Sequence, residues 1–313
     1  MIGLTLKQLR YFEALARHQH FGRAAEACSI SQPALSLQIK ELEAMFGTPL
    51  VERNARQVRL TSVGEGLLSK ARQILLAVEE LDDLVRASRG PLAGRLRLGI
   101  IPTVAPYFLP TIITALTRRF PALDLKLREA VTQSLIGDLL DGRLDLAVVA
   151  LPISEPALTE FALFQEDFVL VRPAEDAGKP VPSARTLQTM RLLLLEEGHC
   201  FRDQALSFCQ FGEAQPRDLM EGSSLSTLVQ MVGAGMGVTL IPDMAVGLET
   251  RSANVSVSRF PLPRPSRTIG MVWRKSNPLS DQLMQIGAIV RAIGYQRDKA
   301  QDSYSDERPV LPV

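Results

Sequence analysis

The 313-residue sequence predicts a mixed α and α/β fold, with a small helical head, one long helix and a larger α/β body. Three patterns predict this division. The N-terminal segment, residues 1–60, carries apolar side chains at helical spacing that is interrupted by tight turns. A heptad seam follows over residues 67–85. Beyond residue 94, strands alternate with helices, which indicates a mostly parallel sheet covered by helices.

The composition excludes two broad classes of protein. Apolar residues make up 46% of the chain, which is enough to build buried cores and excludes a wholly disordered protein. Lysine and arginine (35) nearly balance aspartate and glutamate (34), which excludes a protein that is basic over its entire surface. The charge is uneven, however, because residues 1–62 hold eight Lys/Arg and five Glu. The head is therefore basic and the body near neutral.

The sequence of the head predicts a helix-turn-helix. A first amphipathic helix begins near Leu6, and a second one, rich in small residues, covers Arg23–Cys28. After a short turn, Ser31 is a good N-cap, and Pro33 is tolerated in the first turn of a third helix. That helix has an apolar side and a polar side, formed respectively by Leu35, Ile39, Leu42 and by Gln32, Ser36, Gln38, Lys40. The second helix of such a pair normally enters the major groove of DNA.

A wing and a long helix follow the third helix. Residues 50–60 predict a small hairpin that offers Arg53, Arg56 and Arg59 to DNA phosphates. From Thr61 to about Ser88 one long helix is predicted, with a seam formed by Leu67, Ala71, Ile74, Val78, Leu81 and Val85. The seam predicts a partner helix from a second copy of the chain. Packing against the chain's own body is the alternative, and the pattern leaves parallel and antiparallel pairing open.

These patterns divide the chain into four segments. We expect a winged helix-turn-helix over residues 1–62, a linker helix and hinge over 63–94, the α/β body over 95–296 and a disordered tail over 297–313. Within the body, a second α/β unit opens with a strand over Phe168–Arg172. The sequence has no export leader and no apolar run long enough to cross a bilayer, so a cytoplasmic location is expected.

The head carries a recognisable motif, Ser31-Gln32-Pro33-Ala34-Leu35-Ser36, together with Ala24-Ala25, Leu42-Glu43 and Arg53. These residues resemble the LysR-type transcriptional regulators. The resemblance implies a dimerising linker helix, a two-lobed regulatory domain like a type 2 periplasmic binding protein, and a tetramer built from two dimers. It also implies double-stranded promoter DNA and RNA polymerase as partners. The implied DNA-binding set is Ser31, Gln32, Pro33, Ser36, Gln38, Lys40 and Arg53.

The body carries a narrower signal, in Gly99–Val104, Leu194–Ala205 and Phe208-Cys209. These segments resemble the subgroup of that family that senses hydrogen peroxide. The resemblance implies that Cys200 is oxidised by peroxide and that Cys209 captures it as a disulfide, which cellular thiol reductants later reverse. It also implies that Thr103, Thr132, His199, Arg202 and Asp203 position peroxide or activate the thiol. One departure is Leu219, where relatives often have a histidine.

The chemistry of two thiols fits such a role. Peroxide attack requires a thiolate, and His199, Arg202 and a helix beginning near Asp203 would all stabilise negative charge on Cys200. If the intervening segment is helical, nine positions span roughly 13 Å. A disulfide needs Cα atoms within about 7 Å, so closing the bond must dismantle part of that helix. The third cysteine, Cys28, lies among alanines and is expected to be a core residue.

Two other functions remain as alternatives. A LysR-type regulator could instead sense a small metabolite in the cleft between its lobes. A thiol peroxidase shares the first chemical step, but a DNA-binding head argues against an enzyme. We predict no metal and no cofactor, since the three histidines and three cysteines show no convincing ligand spacing.

Overall fold

The computed structural model describes residues 3–54, 57–87, 92–209 and 220–304. The chain divides into two compact units, Met1–Ser88 and Arg89–Val313. The first unit includes the long helix that the sequence predicts from Thr61 to about Ser88. The helices among the described residues include none that is both long and apolar enough to span a bilayer.

The N-terminal unit is a helix-turn-helix with a hairpin and a long helix. Its elements are α1 (Leu6–His18), α2 (Phe21–Ala27), α3 (Gln32–Phe46), β1 (Val51–Asn54), β2 (Gln57–Leu60) and α4 (Ser62–Ala87). Each short helix has a local start signal. Thr5 forms a capping box with Gln8, the Nδ1 atom of His20 accepts from the backbone of α2, and the Ser31 hydroxyl caps α3. The predicted helix-turn-helix and hairpin are confirmed.

One apolar core holds this unit together. Phe12 and Leu15 of α1 pack against Leu35, Ile39 and Leu42 of α3, and all five side chains are completely buried. Gly47 ends α3 in the left-handed region at φ 68°, where a residue without Cβ is not strained. The outward face of α3 is therefore fixed by burial of the opposite face.

The C-terminal unit is an α/β body with a mixed sheet. Its elements are β3 (Gly94–Ile100), α5 (Ala105–Arg119), β4 (Leu123–Glu129), α6 (Thr132–Leu140), β5 (Leu146–Leu151), β6 (Leu158–Pro173), α7 (Ala184–Leu187), β7 (Leu192–Leu195), α8 (Cys200–Phe208), β8 (Met220–Gly222), α9 (Leu225–Gly233), β9 (Val238–Pro242), α10 (Val246–Glu249), β10 (Val255–Arg259), β11 (Ser266–Arg274) and α11 (Ser280–Tyr304).

The strand order explains the two lobes of this body. The order is β4-β3-β5-β11-β6-β9-β7-β8, and β10 also pairs with β6. Strands β3–β5 form parallel pairs in the first lobe, and β7 is parallel to β8 and β9 in the second lobe. The antiparallel strands β6 and β11 connect the two halves. The predicted parallel pairing is correct within each lobe, whereas the antiparallel connection was not predicted.

Three boundaries differ from the sequence-based expectation. Strand β6 begins at Leu158 rather than Phe168, and α8 begins at Cys200 rather than near Asp203. Residues 297–304, which the sequence assigns to a disordered tail, continue α11 in the structure. No proline interrupts that stretch, so the backbone can extend the helix. Residues 305–313 and Leu219 lie outside the described residues.

Candidate redox site

The two cysteines of the body lie at opposite ends of α8. Cys200 is its first residue and is half-buried, whereas Cys209 directly follows its last residue and is fully buried. At 1.5 Å per residue the nine positions between them span roughly 13 Å. A disulfide allows at most about 7 Å between Cα atoms, so the intact helix keeps the two thiols apart.

Cys209 belongs to the apolar core of the second lobe. It clusters there with Leu192, Phe201 and Ala205, and its carbonyl accepts a hydrogen bond of 2.8 Å from Gln188 Nε2. Burial raises the pKa of the Cys209 thiol to about 12. In this conformation Cys209 is a neutral thiol at physiological pH and cannot start the chemistry itself.

The loop before Cys200 places the first cysteine at a helix N-terminus. Gly198 has φ 94°, a conformation that a side chain would strain, and His199 is the N-cap residue. Burial lowers the pKa of His199, although Glu196 opposes the shift, so the imidazole is neutral near pH 7. The sequence suggested a cationic His199 beside the thiol. The structure instead leaves the helix N-terminus as the feature that favours negative charge there.

Arg202 and Asp203 differ sharply in their surroundings. Arg202 is buried, donates to the Leu195 carbonyl at 3.1 Å and forms a short ion pair with Glu221. Because Leu195 lies in β7 and Glu221 in β8, these bonds connect the first turn of α8 to both strands. Asp203 is exposed in the same turn. The contacts of Arg202 therefore indicate that it holds the helix in place.

Thr103 lies three residues after the end of β3 and is hydrogen-bonded to a buried arginine. The Thr103 hydroxyl accepts a 2.8 Å bond from Arg267 Nη1, and its carbonyl accepts a 3.0 Å bond from Arg267 Nη2. Arg267, on β11, also forms a buried ion pair of 2.8 Å with Glu166 on β6. Sequence reasoning missed Arg267 because it lies far along the chain from the cysteines, with no motif around it.

Arg267 also contacts α8. Its guanidinium lies 5.2 Å from the centre of the Phe201 ring, within the range of a cation–π interaction. Phe201 also meets Phe168 edge to face, with ring centres 4.9 Å apart. One buried cation therefore touches both the Thr103 hydroxyl and the residue next to Cys200.

Thr132 is the first residue of α6, and its environment is unusual. Its hydroxyl oxygen is shielded from solvent and has no hydrogen-bond partner within the part of the chain that the structure describes. A buried hydroxyl without a partner costs free energy unless a ligand or water satisfies it. A Cβ added to Gly198 would lie 4.0 Å from Val131 Cγ2, so the loop before Cys200 reaches the segment before Thr132.

A cavity of about 420 Å³ lies between the two lobes. Thr103, Tyr107 and Val131 line it from the first lobe, and His199 and Glu249 line it from the second. The Tyr107 hydroxyl donates to Glu249 Oε1 at 2.6 Å across this cavity. Of the predicted redox residues, the structure brings Thr103 and His199 to one cavity, with Thr132 and Cys200 each next in sequence to a lining residue.

The predicted DNA-binding residues other than Arg53 lie at the start and on the outer faces of α3. Gln32, Pro33 and Lys40 are exposed, whereas Ser36 and Gln38 are half-buried. Gln38 Nε2 donates to Glu41 at 2.7 Å. The side chain of Arg53, and residues 55–56 of the hairpin, lie outside the described residues.

The seam of α4 is mostly exposed beyond Ala71, with Val78 half-buried. Ala71 is buried against the head, whereas Ile74, Leu81 and Val85 are 43%, 61% and 50% exposed. The exposed side chains of Ile74 and Leu81 suit a contact with a partner helix.

Comparison with known proteins decides the family. A model of the LysR substrate binding domain matches residues 89–292, and a model of bacterial regulatory helix-turn-helix proteins of the lysR family matches residues 6–65. The chain belongs to the LysR family. Its LysR-family relatives include a probable hydrogen peroxide-inducible genes activator from Streptomyces viridosporus, 44% identical over 92% of this chain and 93% of that protein. The DNA-binding transcriptional dual regulator OxyR of Escherichia coli is 39% identical over 92% and 95%.

Solved structures of LysR-family proteins agree with the fold. A full-length OxyR variant from Pseudomonas aeruginosa matches with a TM-score of 0.74 and 38% identity, covering 92% of this chain and 95% of that one. A hydrogen peroxide-bound cysteine-to-serine mutant of Corynebacterium glutamicum OxyR matches with a TM-score of 0.66 and 35% identity, covering 99% and 98%. The two-lobed LysR-family architecture is thereby confirmed.

Proposed function

We propose that this LysR-family protein is a DNA-binding transcriptional regulator that senses hydrogen peroxide and controls oxidative-stress genes. The sensor is a reversible disulfide between Cys200 and Cys209. The observation that carries the proposal is the position of the two thiols at opposite ends of one nine-residue helix, beside an interlobe cavity. The names of the relatives from Streptomyces viridosporus and Escherichia coli support it.

The first step oxidises Cys200. Its thiolate attacks one oxygen of hydrogen peroxide, the O–O bond breaks, and the departing hydroxide takes a proton to become water. Cys200 is left as a sulfenic acid. Thr103 and Thr132 hydroxyls, which both donate and accept, are suited to hold peroxide in the cavity, and the neutral His199 can transfer a proton there. The orphaned Thr132 hydroxyl favours this assignment.

The second step forms the disulfide and changes the fold. The Cys209 sulfur attacks the Cys200 sulfur, the S–O bond breaks, and the hydroxide that leaves becomes a second water with the proton from the Cys209 thiol. Because the intact helix holds the sulfurs apart, α8 must unwind first. Arg202 and Phe201 then lose their contacts, and the rearranged segment carries the signal. Cellular thiol reductants return the protein to the reduced state by reducing the disulfide.

The N-terminal unit is proposed to read promoter DNA. The start and outer faces of α3 place Ser31, Gln32, Pro33, Ser36, Gln38 and Lys40 towards the major groove, and Arg53 contacts the backbone. The exposed seam of α4 joins two chains, and two such dimers form the tetramer. We propose the domain bounds 1–62, 63–94 and 95–296, RNA polymerase as a further partner, and the cytoplasm as the location.

A second candidate function is the sensing of a small metabolite. The cavity of about 420 Å³, crossed by the bond from Tyr107 to Glu249, is large enough for a small organic molecule. A peroxide sensor needs both thiols and no such ligand. The alternative needs the ligand and neither thiol.

Counting thiols by mass spectrometry before and after stoichiometric peroxide distinguishes the two. We expect the loss of two thiols and a peptide map that joins Cys200 to Cys209 within one chain. Cys200→Ser should remain reduced, Cys209→Ser should stop at sulfenic acid, and the control Cys28→Ser should behave as the wild type. Normal peroxide induction of a reporter by Cys200→Ser would overturn the proposal.

A further inference from the structure

An exposed leucine occupies the centre of the outward face of α3. Leu37 is 56% exposed, and it lies two residues from Leu35 and from Ile39, which are fully buried. With 3.6 residues per turn, two residues correspond to about 200° around a helix. Leu37 therefore points almost directly away from the core of the N-terminal unit. Ser36 and Gln38, its neighbours in sequence, point sideways and are half-buried.

Leu37 is the largest exposed apolar side chain on the outward face of α3. Pro33 and Lys40 lie one turn before and after it, and both are exposed. Glu41 accepts the hydrogen bond of Gln38, so one of the polar side chains nearby is already engaged. The face presents an apolar centre with a cation one turn away. This arrangement suits a site that reads an apolar group on a base while Lys40 faces a phosphate.

We propose that Leu37 determines part of the operator sequence by contacting the C5-methyl group of a thymine. The inference rests on the proposed DNA binding and adds a base-reading residue to it. Thymine is the only one of the four bases that shows a methyl group in the major groove. Leucine cannot bond to the amino groups of cytosine or adenine, so those bases would lose water there without compensation. Leu37 thus favours thymine by attraction and disfavours cytosine and adenine by desolvation.

The test compares DNA that contains thymine with DNA that contains deoxyuridine. An operator is first selected from random duplexes with the full-length reduced protein. Each thymine of that operator is then replaced singly by deoxyuridine, which removes only the methyl group. At one thymine per half-site we expect the wild-type Kd to rise about fourfold, the effect of one methyl group no longer buried.

The variant Leu37→Ala should bind more weakly and should show the same Kd for thymine and deoxyuridine at that position. Leu6→Ala is the matched control, because Leu6 is also an exposed apolar residue of the same unit, at 42% exposure. It should retain the wild-type ratio. Circular dichroism confirms that both variants keep their helices.

Two results would overturn the inference, and they differ from failure of DNA binding. If deoxyuridine has no effect on the wild type at any position, no methyl group is read. If Leu37→Ala keeps the full thymine preference, another residue reads it. If instead no duplex is enriched, the proposed DNA binding fails, and the base-reading role fails with it.

Discussion

Replacing Phe201 with leucine tests whether the contacts of α8 stabilise the reduced form relative to the oxidised form. Phe201 is buried in the first turn of α8, and its ring centre lies 4.9 Å from that of Phe168 and 5.2 Å from the Arg267 guanidinium. It is next to Cys200, so the unwinding of α8 in the proposed oxidation would remove it from both neighbours. We therefore expect its contacts to stabilise the reduced form and not the oxidised one.

The magnitude follows from those two contacts. An edge-to-face aromatic pair contributes about 0.5–1.5 kcal/mol beyond burial. A cation–π contact contributes roughly 0.5–2 kcal/mol. Leucine keeps most of the apolar burial, so we expect Phe201→Leu to lower the free energy of unfolding of the reduced form by about 1–3 kcal/mol. Since about 1.4 kcal/mol corresponds to 30 mV for a two-electron couple, the reduction potential of the disulfide should fall by roughly 20–60 mV.

The assay is a redox titration in glutathione or dithiothreitol, with the disulfide fraction measured by alkylation and mass spectrometry. Phe108→Leu is the matched control, because Phe108 is fully buried and meets Phe164 edge to face at 5.1 Å, but in the first lobe. It should lose stability in both redox states and leave the potential unchanged. If Phe201→Leu loses stability but its potential stays within about 10 mV of the wild type, Phe201 keeps its place on oxidation and the reasoning fails.

Three further predictions concern separate features. Thr103→Val should lower the free energy of unfolding by about 1.5–3 kcal/mol, because Arg267 loses a hydrogen-bond acceptor, and it should also slow the oxidation of Cys200. The control Thr103→Ser should change neither quantity, and urea titration and peroxide kinetics measure the two effects. Burial raises the pKa of Cys209 from 9.0 to about 12, so between these pH values the thiol loses its proton in the unfolded chain but keeps it in the folded one. The reduced protein should therefore lose stability as the pH rises from 9 to 12, and Cys209→Ala should remove that part of the pH dependence. Changing both Ile74 and Leu81 to glutamate should convert the protein to monomers, which sedimentation measures. The control is a glutamate at Leu262, which is 82% exposed and lies outside the seam, and it should leave the oligomeric state unchanged.

The helices of the N-terminal unit were predictable because their signals are local. Ser31 caps α3, Gly47 ends it, and Leu35, Ile39 and Leu42 give it a buried face. Each of these features depends only on neighbours within a few turns. The position of α8 was predicted to within a turn for the same reason.

The electrostatics of the redox site could not be predicted because they depend on burial and on contacts distant in sequence. His199 next to Cys200 suggested a cation, but its burial favours the neutral imidazole. Arg202 suggested a second cation for the thiol, but its bonds are to Leu195 and Glu221. The buried cation that reaches Thr103 is Arg267, on β11, which lies between β5 and β6 in the sheet. Only the tertiary fold assigns these partners.

The two cysteines differ chemically because one helix holds both of them. Cys200 occupies the end where backbone N–H groups favour negative charge, and Cys209 occupies the end where carbonyl groups oppose it. Burial adds to that difference by keeping Cys209 protonated. In the proposed oxidation, unwinding of α8 would expose Cys209 and remove the helix end beside it, so its pKa would fall towards that of a free thiol. The same motion would bring the two sulfurs within bonding distance. We therefore expect one conformational step both to activate the Cys209 thiol and to bring it to Cys200, and Cys209 to react only after the helix has opened.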